Sequence, residues 1–140
     1  MSLEVITRVR APAATIWDVL MDVGRWPEWN PSVERVARSA DGEFKVGSEA
    51  RIKQPRLLPM TWIVTELTPI SSFAWEARSP GLVLRAGHEL RPIDDVETEV
   101  RLTIEQAGVA AWLTRPFTST LARRYVHMEA QGLKARAEVL

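Results

Sequence analysis

A chain of 140 residues, 46% hydrophobic and 26% charged, has enough apolar material to bury a core and too much to stay disordered. Its 18 Lys and Arg balance its 18 Asp and Glu, so no overall basic excess argues for nucleic acid or an anionic membrane as the main partner. The absence of cysteine excludes disulfides, thiolate zinc sites and cysteine nucleophiles. The start, MSLEVITRVR, lacks the apolar centre of a signal peptide, and no run approaches the roughly 18 apolar residues of a membrane span. One cytoplasmic domain over residues 1–140, without integral membrane association, is the expectation.

The first predicted strand covers residues 3–10, where Leu3, Val5, Thr7 and Val9 alternate with Glu4, Ile6, Arg8 and Arg10. Pro12 ends it and favours a helix start. A helix over 13–21 puts Ile16, Trp17, Val19 and Leu20 on one side and Asp18 and Asp22 on the other, and Gly24 fits its end. A second short helix or turn runs through Arg25-Trp26-Pro27-Glu28-Trp29, and Asn30-Pro31 turns the chain towards a strand. Six further strands are expected at 33–38, 48–54, 60–67, 72–78, 82–91 and 96–106. Their connectors are too short for parallel crossovers, so the strands should form an antiparallel meander. In the last strand Val96, Thr98, Val100, Leu102, Ile104 and Gln106 share the expected buried face. A long helix over 115–138 closes the chain, with Thr114 a possible N-cap and Pro116 suited to its first turn. Phe117, Leu121, Tyr125, Met128, Gly132 and Ala135 form its apolar stripe, opposite Arg123, Arg124, His127, Gln131 and Lys134. Gly132 in mid-helix costs about 1 kcal/mol against alanine, tolerable if the helix passes close to the sheet there.

Seven strands at about 4.8 Å spacing span roughly 30 Å, whereas a helix is only about 10–12 Å across. The sheet must therefore curl around the long helix, and the short helices can plug one end. The remaining space is either packed solid or a cavity.

The segment APAATIWDVLMDVGRWPEWNP, the strand pair around Phe73-Ala74-Trp75, the Pro80-Gly81 and Gly87-His88-Glu89-Leu90 elements, and the terminal Gly132-Leu133-Lys134-Ala135-Arg136-Ala137-Glu138 resemble the START-like (SRPBCC, Bet v 1-like) superfamily. The resemblance covers essentially the whole chain and is strongest to the polyketide cyclase/dehydrase-like branch. It implies an α+β helix-grip fold: a seven-stranded curved antiparallel sheet wrapped around a long C-terminal helix, with two short helices after strand 1. It also implies a ligand cavity between sheet and helix. The chain departs from the plant branch, because Gln54-Pro55-Arg56-Leu57-Leu58-Pro59 stands where a glycine-rich loop would lie. The superfamily includes cyclases, lipid and sterol carriers, hormone receptors and quinone-binding proteins, so the fold does not fix the function.

His88 is the most informative single residue. Alternation places it on the same face as Leu82, Leu84, Ala86 and Leu90, on the buried side of the sheet. An imidazole there can donate a hydrogen bond to a ligand carbonyl or act as a general acid or base, though a lone histidine on an apolar face is more often a satisfied core residue. Tyr125 projects from the apolar stripe of the last helix and can hold a ligand oxygen or a buried partner. Trp62, Phe73 and Trp75 suit stacking on a flat ring and suit a plain core equally. Phe117, Leu121 and Met128 on the last helix complete the candidate lining, with Met60 and Met128 adaptable wall residues. Gln106 and Thr98 are polar residues on an inward face and need partners. Arg51 and Glu66 are candidates for the cavity mouth. Trp17, Trp26 and Trp29 read as structural anchors of the helical corner, and Asn30 as a turn-former. The arginines of the last helix read as a solvated face, supported by Glu129 and Glu138.

The sequence holds no Gly-x-Ser-x-Gly elbow, phosphate-cradling loop or dinucleotide fingerprint, and its two histidines lie on different elements. No metal or cofactor is expected. The leading expectation is a protein that binds an apolar, cyclic or polyketide-like small molecule, as monomer or homodimer. The alternative is a cyclase or dehydratase using His88 and Tyr125, for which the sequence offers no compelling acid/base pair. A third reading is an interaction module that binds a protein partner through an apolar cavity mouth.

Overall fold

The computed structural model describes residues 2–140, the side chains of residues 115 and 116 excepted. Seven strands, β1 (Ser2–Val9), β2 (Arg35–Arg38), β3 (Glu49–Lys53), β4 (Met60–Thr68), β5 (Ser72–Ser79), β6 (Leu82–Pro92) and β7 (Thr98–Ala107), form one antiparallel sheet in the order β1-β7-β6-β5-β4-β3-β2. Successive short connections make the β2-to-β7 meander, and β1 returns to pair with β7, Val5 opposite Leu102. The sheet curls around the C-terminal helix, so the architecture is an α+β helix grip.

Alternation decides which face each strand buries. In β7, Thr98, Val100 and Leu102 are buried while Arg101 is exposed. The strand starts two residues later than the pattern suggests. Val96 lies outside it and is largely exposed, because Asp94 Oδ1 accepts from the Val96 and Glu97 amides and holds a turn there. Thr98 finds its partner in the backbone, its hydroxyl donating to the Ala11 carbonyl at 2.9 Å. In β4 the register shifts between Val64 and Glu66. This bulge lets Trp62 and Val64 point inward before it and Leu67 pair with Phe73 after it, and it bends the strand. β2 is shorter than expected: the Val33 amide donates back to the Asn30 carbonyl at 3.0 Å and closes the preceding turn, and Glu34 is a bend before the strand.

After β1 comes helix α1 (Ala13–Met21), which buries Ile16, Trp17, Val19 and Leu20. A 3-10 helix over Val23–Glu28 follows and sinks Trp26 into the core, its indole donating to the Leu20 carbonyl at 3.0 Å. A five-residue helix, α2 (Val109–Leu113), then precedes the long α3 (Arg115–Glu138). The sequence reading contains no counterpart of α2. Thr114 does not cap α3; its hydroxyl donates back to the Ala110 carbonyl at 2.7 Å. The expected place of Pro116 lies outside the described residues. Among the described residues no helix is long and apolar enough to cross a membrane.

The buried stripe of α3 is Leu121, Tyr125, Ala130, Leu133 and Ala137. Ala135 faces outward, and Phe117 is 57% exposed, because the first turn extends past the sheet. At Gly132 a Cβ would stand 2.0 Å from the Trp29 carbonyl oxygen, so the helix passes against the backbone of the helical corner, not against the sheet.

Candidate functional site

α3 packs mainly on β1, with further contacts to β7 and α1. It therefore covers one side of the sheet and leaves space over β4, β5 and β6. The helical corner closes one end of that space with Trp26, and the segment between β3 and β4 brings in Gln54 and Leu57. What remains is a cavity of about 140 Å³, walled chiefly by apolar side chains that include Trp26, Trp62, Trp75 and Leu102. A ring-lined apolar space of this kind is not filled by water at little cost, and it favours an apolar guest.

Among its polar lining residues, His88 and Glu129 form a pair. His88 is 2% exposed and its Nε2 lies 3.2 Å from Glu129 Oε2 on α3. Its ring stacks on Phe73, its cross-strand partner, at 4.1 Å and 4°. Trp26 closes over it edge-on at 5.7 Å. The other oxygen of Glu129 accepts from Asn30 Nδ2 at 2.9 Å. Asn30, fully buried, has its amide orientation set in turn: Oδ1 accepts from the Ser32 amide at 3.0 Å and the Ser32 hydroxyl at 2.7 Å. The chain Ser32–Asn30–Glu129–His88 thus links the turn after the helical corner to the centre of the sheet. It orients the imidazole, with Nε2 turned to a carboxylate as donor, and leaves Nδ1 a buried nitrogen without that partner. Among the described residues Nδ1 has no hydrogen-bond partner.

Of the sequence-predicted residues, Trp62, Trp75, His88, Gln106, Leu121 and Tyr125 line this cavity together, as does Met60. Phe73 does not: it is buried behind His88 among Trp17, Phe44 and Trp75. Phe117 is exposed and Met128 is half-buried outside the lining, which corrects the expectation for both. Arg51 and Glu66 lie on the outer face of the sheet, where they bond Thr61 and Arg85. The residues the sequence reading missed are Glu129, Asn30, Ser32 and Trp26. Glu129 carried a signal: Leu121, Tyr125, Glu129, Leu133 and Ala137 are spaced by four, so a carboxylate sits inside the apolar ladder.

Tyr125 is fastened rather than free. Its hydroxyl donates to the Pro55 carbonyl, tying α3 to the segment between β3 and β4 beside the cavity. Burial pushes the phenol above the ordinary tyrosine value, against the smaller opposing pull of Arg56 and Arg124. A raised folded value means that this contribution to stability is complete below about pH 10, the unfolded value, and is lost as pH rises through the folded one. Tyr125 is the sole tyrosine, so the phenolate absorbance reports on it alone. Its midpoint is expected above that of the urea-unfolded chain, and an equal or lower midpoint would contradict the buried hydroxyl.

The family model described as polyketide cyclase / dehydrase and lipid transport matches residues 2–138. The chain belongs to that family. A comparison with curated protein sequences finds no match. Among solved structures, this polyketide cyclase/dehydrase family member is similar to the Zhui aromatase/cyclase from Streptomyces sp. R1128 (TM-score 0.83, 20% identity, covering 99% of this chain and 93% of that one). It is similar to a START superfamily protein from Mycobacterium smegmatis (TM-score 0.74, 19% identity, covering 98% and 97%). It also resembles a norcoclaurine synthase point mutant from Thalictrum flavum (TM-score 0.73, 14% identity, covering 98% and 93%). At these identities the likeness establishes the START-like fold of the family member and nothing finer.

Proposed function

We propose that the protein binds a compact ring compound, or a poly-carbonyl chain able to close one ring, with its apolar body against Trp26, Trp62 and Trp75 and its oxygen at His88. The observation that carries this reading is His88 itself: a buried imidazole, oriented by Glu129, on the wall of a mainly apolar cavity. The volume limits the guest. An apolar cavity of roughly 150 Å³ accommodates benzene, so about 140 Å³ suits one ring with a short substituent. A fused polycycle needs the walls to move apart.

The test is a fluorescence titration, because three tryptophans line the site. Single-ring hydroxy-ketones are expected to quench tryptophan emission at lower concentration than two-ring analogues. His88→Gln should weaken binding of the oxygenated ligands about tenfold, the cost of one hydrogen bond in a dry site, and leave benzene-like ligands unaffected. Equal affinity of wild type and His88→Gln for every oxygenated ligand would remove His88 from the site.

The oriented His–carboxylate pair favours a second reading, an enzyme of cyclase or dehydratase type. The His88 imidazole, on the wall of the cavity, would take a proton from the carbon next to a carbonyl and return it to the departing oxygen, while the confined wall holds the chain folded for closure. Turnover that fails in His88→Gln while the apolar part of the ligand still binds would favour this over a carrier.

A further inference from the structure

We propose that the cavity-mouth end of the molecule is a docking surface for an anionic lipid bilayer, so that an apolar guest enters from the membrane. Two observations carry this, independent of the His88 site. First, Leu58 in the segment between β3 and β4, Val109, Trp112 and Leu113 on α2, and Phe117 on the first turn of α3 are all more than half exposed. Leu58 and Phe117 adjoin Leu57 and Thr118, which line the cavity, and α2 packs through Ala110 on Gly81, next to the lining residue Leu82, so these apolar tips lie beside the same end of it. Second, charge is segregated although the net charge is zero. Residues 50–65 and 107–128 hold six of the 18 Lys and Arg and none of the 18 Asp and Glu. Of these cations Arg56, Arg123 and Arg124 are exposed and form no ion pair among the described residues; Arg56 and Arg124 sit close enough to Tyr125 to act on its phenol, as does one carboxylate, Glu34, which is paired with Lys53.

Exposed Trp, Phe and Leu beside unpaired arginines are the composition that lies in a bilayer interface: apolar tips enter the headgroup boundary and guanidinium groups meet lipid phosphates. The tips project from a loop and a one-turn helix. A fluid interface accepts such projections in any arrangement, whereas an acidic protein partner would need matching recesses. Docking stands apart from the ring-binding reading; only the loading step rests on it.

The test is flotation of the ligand-free protein with vesicles of phosphatidylcholine alone and with one quarter phosphatidylglycerol, at low and high salt. Binding is expected only to the anionic vesicles and should weaken with salt. Removing two surface cations, Arg123→Ser with Arg124→Ser, should reduce it about 30-fold, and Trp112→Ser with Leu113→Ser at least about tenfold. These residues are exposed, so unchanged circular dichroism and melting should accompany both losses. No vesicle binding by the wild-type protein would overturn the proposal, as would equal binding by both double variants. So would retention of a purified acidic protein on this face while vesicles are ignored. Because no cavity ligand is used, failure here leaves the fluorescence result unaffected, and the reverse also holds.

Discussion

Gly132→Ala is expected to lower stability by about 3 kcal/mol or more and the melting midpoint by roughly 10 °C. Helix propensity alone predicts the opposite, a gain near 1 kcal/mol for alanine in mid-helix. The close approach decides the sign. An added Cβ would stand 2.0 Å from the Trp29 carbonyl oxygen and 3.1 Å from its carbon, and a backbone carbonyl cannot swing aside as the end of a long side chain can. Either α3 lifts from the helical corner or the corner is pushed away. Both movements break more than packing, because Trp29 precedes Asn30, whose amide holds Glu129 on the same helix three residues before Gly132. The variant should therefore also change the environment of His88. Gly24→Ala is the control: no atom lies within 4 Å of the added carbon there, and the melt should be unchanged within about half a kcal/mol. A Gly132→Ala protein as stable as wild type would show that the approach of α3 to Trp29 is looser than described.

Strand faces were legible in the sequence because a period of two survives any tertiary detail: Val100, Leu102, Leu84, His88 and Leu90 could be placed inside from alternation alone. The long helix was legible in its extent and only partly in its orientation. Phe117 extends the four-residue ladder of Leu121 and Tyr125 perfectly well, yet its turn lies beyond the rim of the sheet, and periodicity carries no information on where a neighbouring element ends. α2 left no signal because five residues are too few for one amphipathic repeat. The β4 bulge left none because a bulge shows in pairing, not in composition. The site was half visible. His88 announced itself as a polar residue on an apolar face, while its partner was discounted because carboxylates among arginines on a helix are usually solvated. Glu129 is 16% exposed at its side chain, held in by Asn30, a residue 99 positions away that reads locally as a turn-former. Contacts at that separation are set by the fold, and no local pattern encodes them.

The sharpest consequence of the relay is a tautomer switch. Asn30 Oδ1 accepts twice from Ser32, so its Nδ2 must face Glu129 as a donor, and Glu129 offers acceptors to both Asn30 and His88. Glu129→Ala leaves two buried donors without acceptors and should cost about 2–5 kcal/mol. Glu129→Gln is different. Its amide oxygen is claimed by Asn30, so its amide nitrogen faces His88 Nε2, and two donors cannot share a hydrogen bond. The conflict is relieved when His88 moves its hydrogen to Nδ1 and accepts at Nε2, at a cost of only about 1 kcal/mol. Nitrogen-15 spectra of the imidazoles, with exposed His127 as the internal comparison, should then show the pyridine-like nitrogen change from Nδ1 to Nε2. Nδ1, which carries no hydrogen in the wild type, becomes a donor. For a guest that reaches Nδ1, a carbonyl should keep or gain affinity, and a hydroxyl proton alone should lose it. If the protein is an enzyme, the base is removed while the fold and the apolar wall are kept, and turnover should fall by about 10²-fold or more. A carrier has no turnover to lose and shows only the exchange of ligand preference. A Glu129→Gln protein whose His88 keeps its hydrogen on Nε2 would break the relay as drawn, because it would mean that Asn30, and not His88, had turned to accommodate the amide.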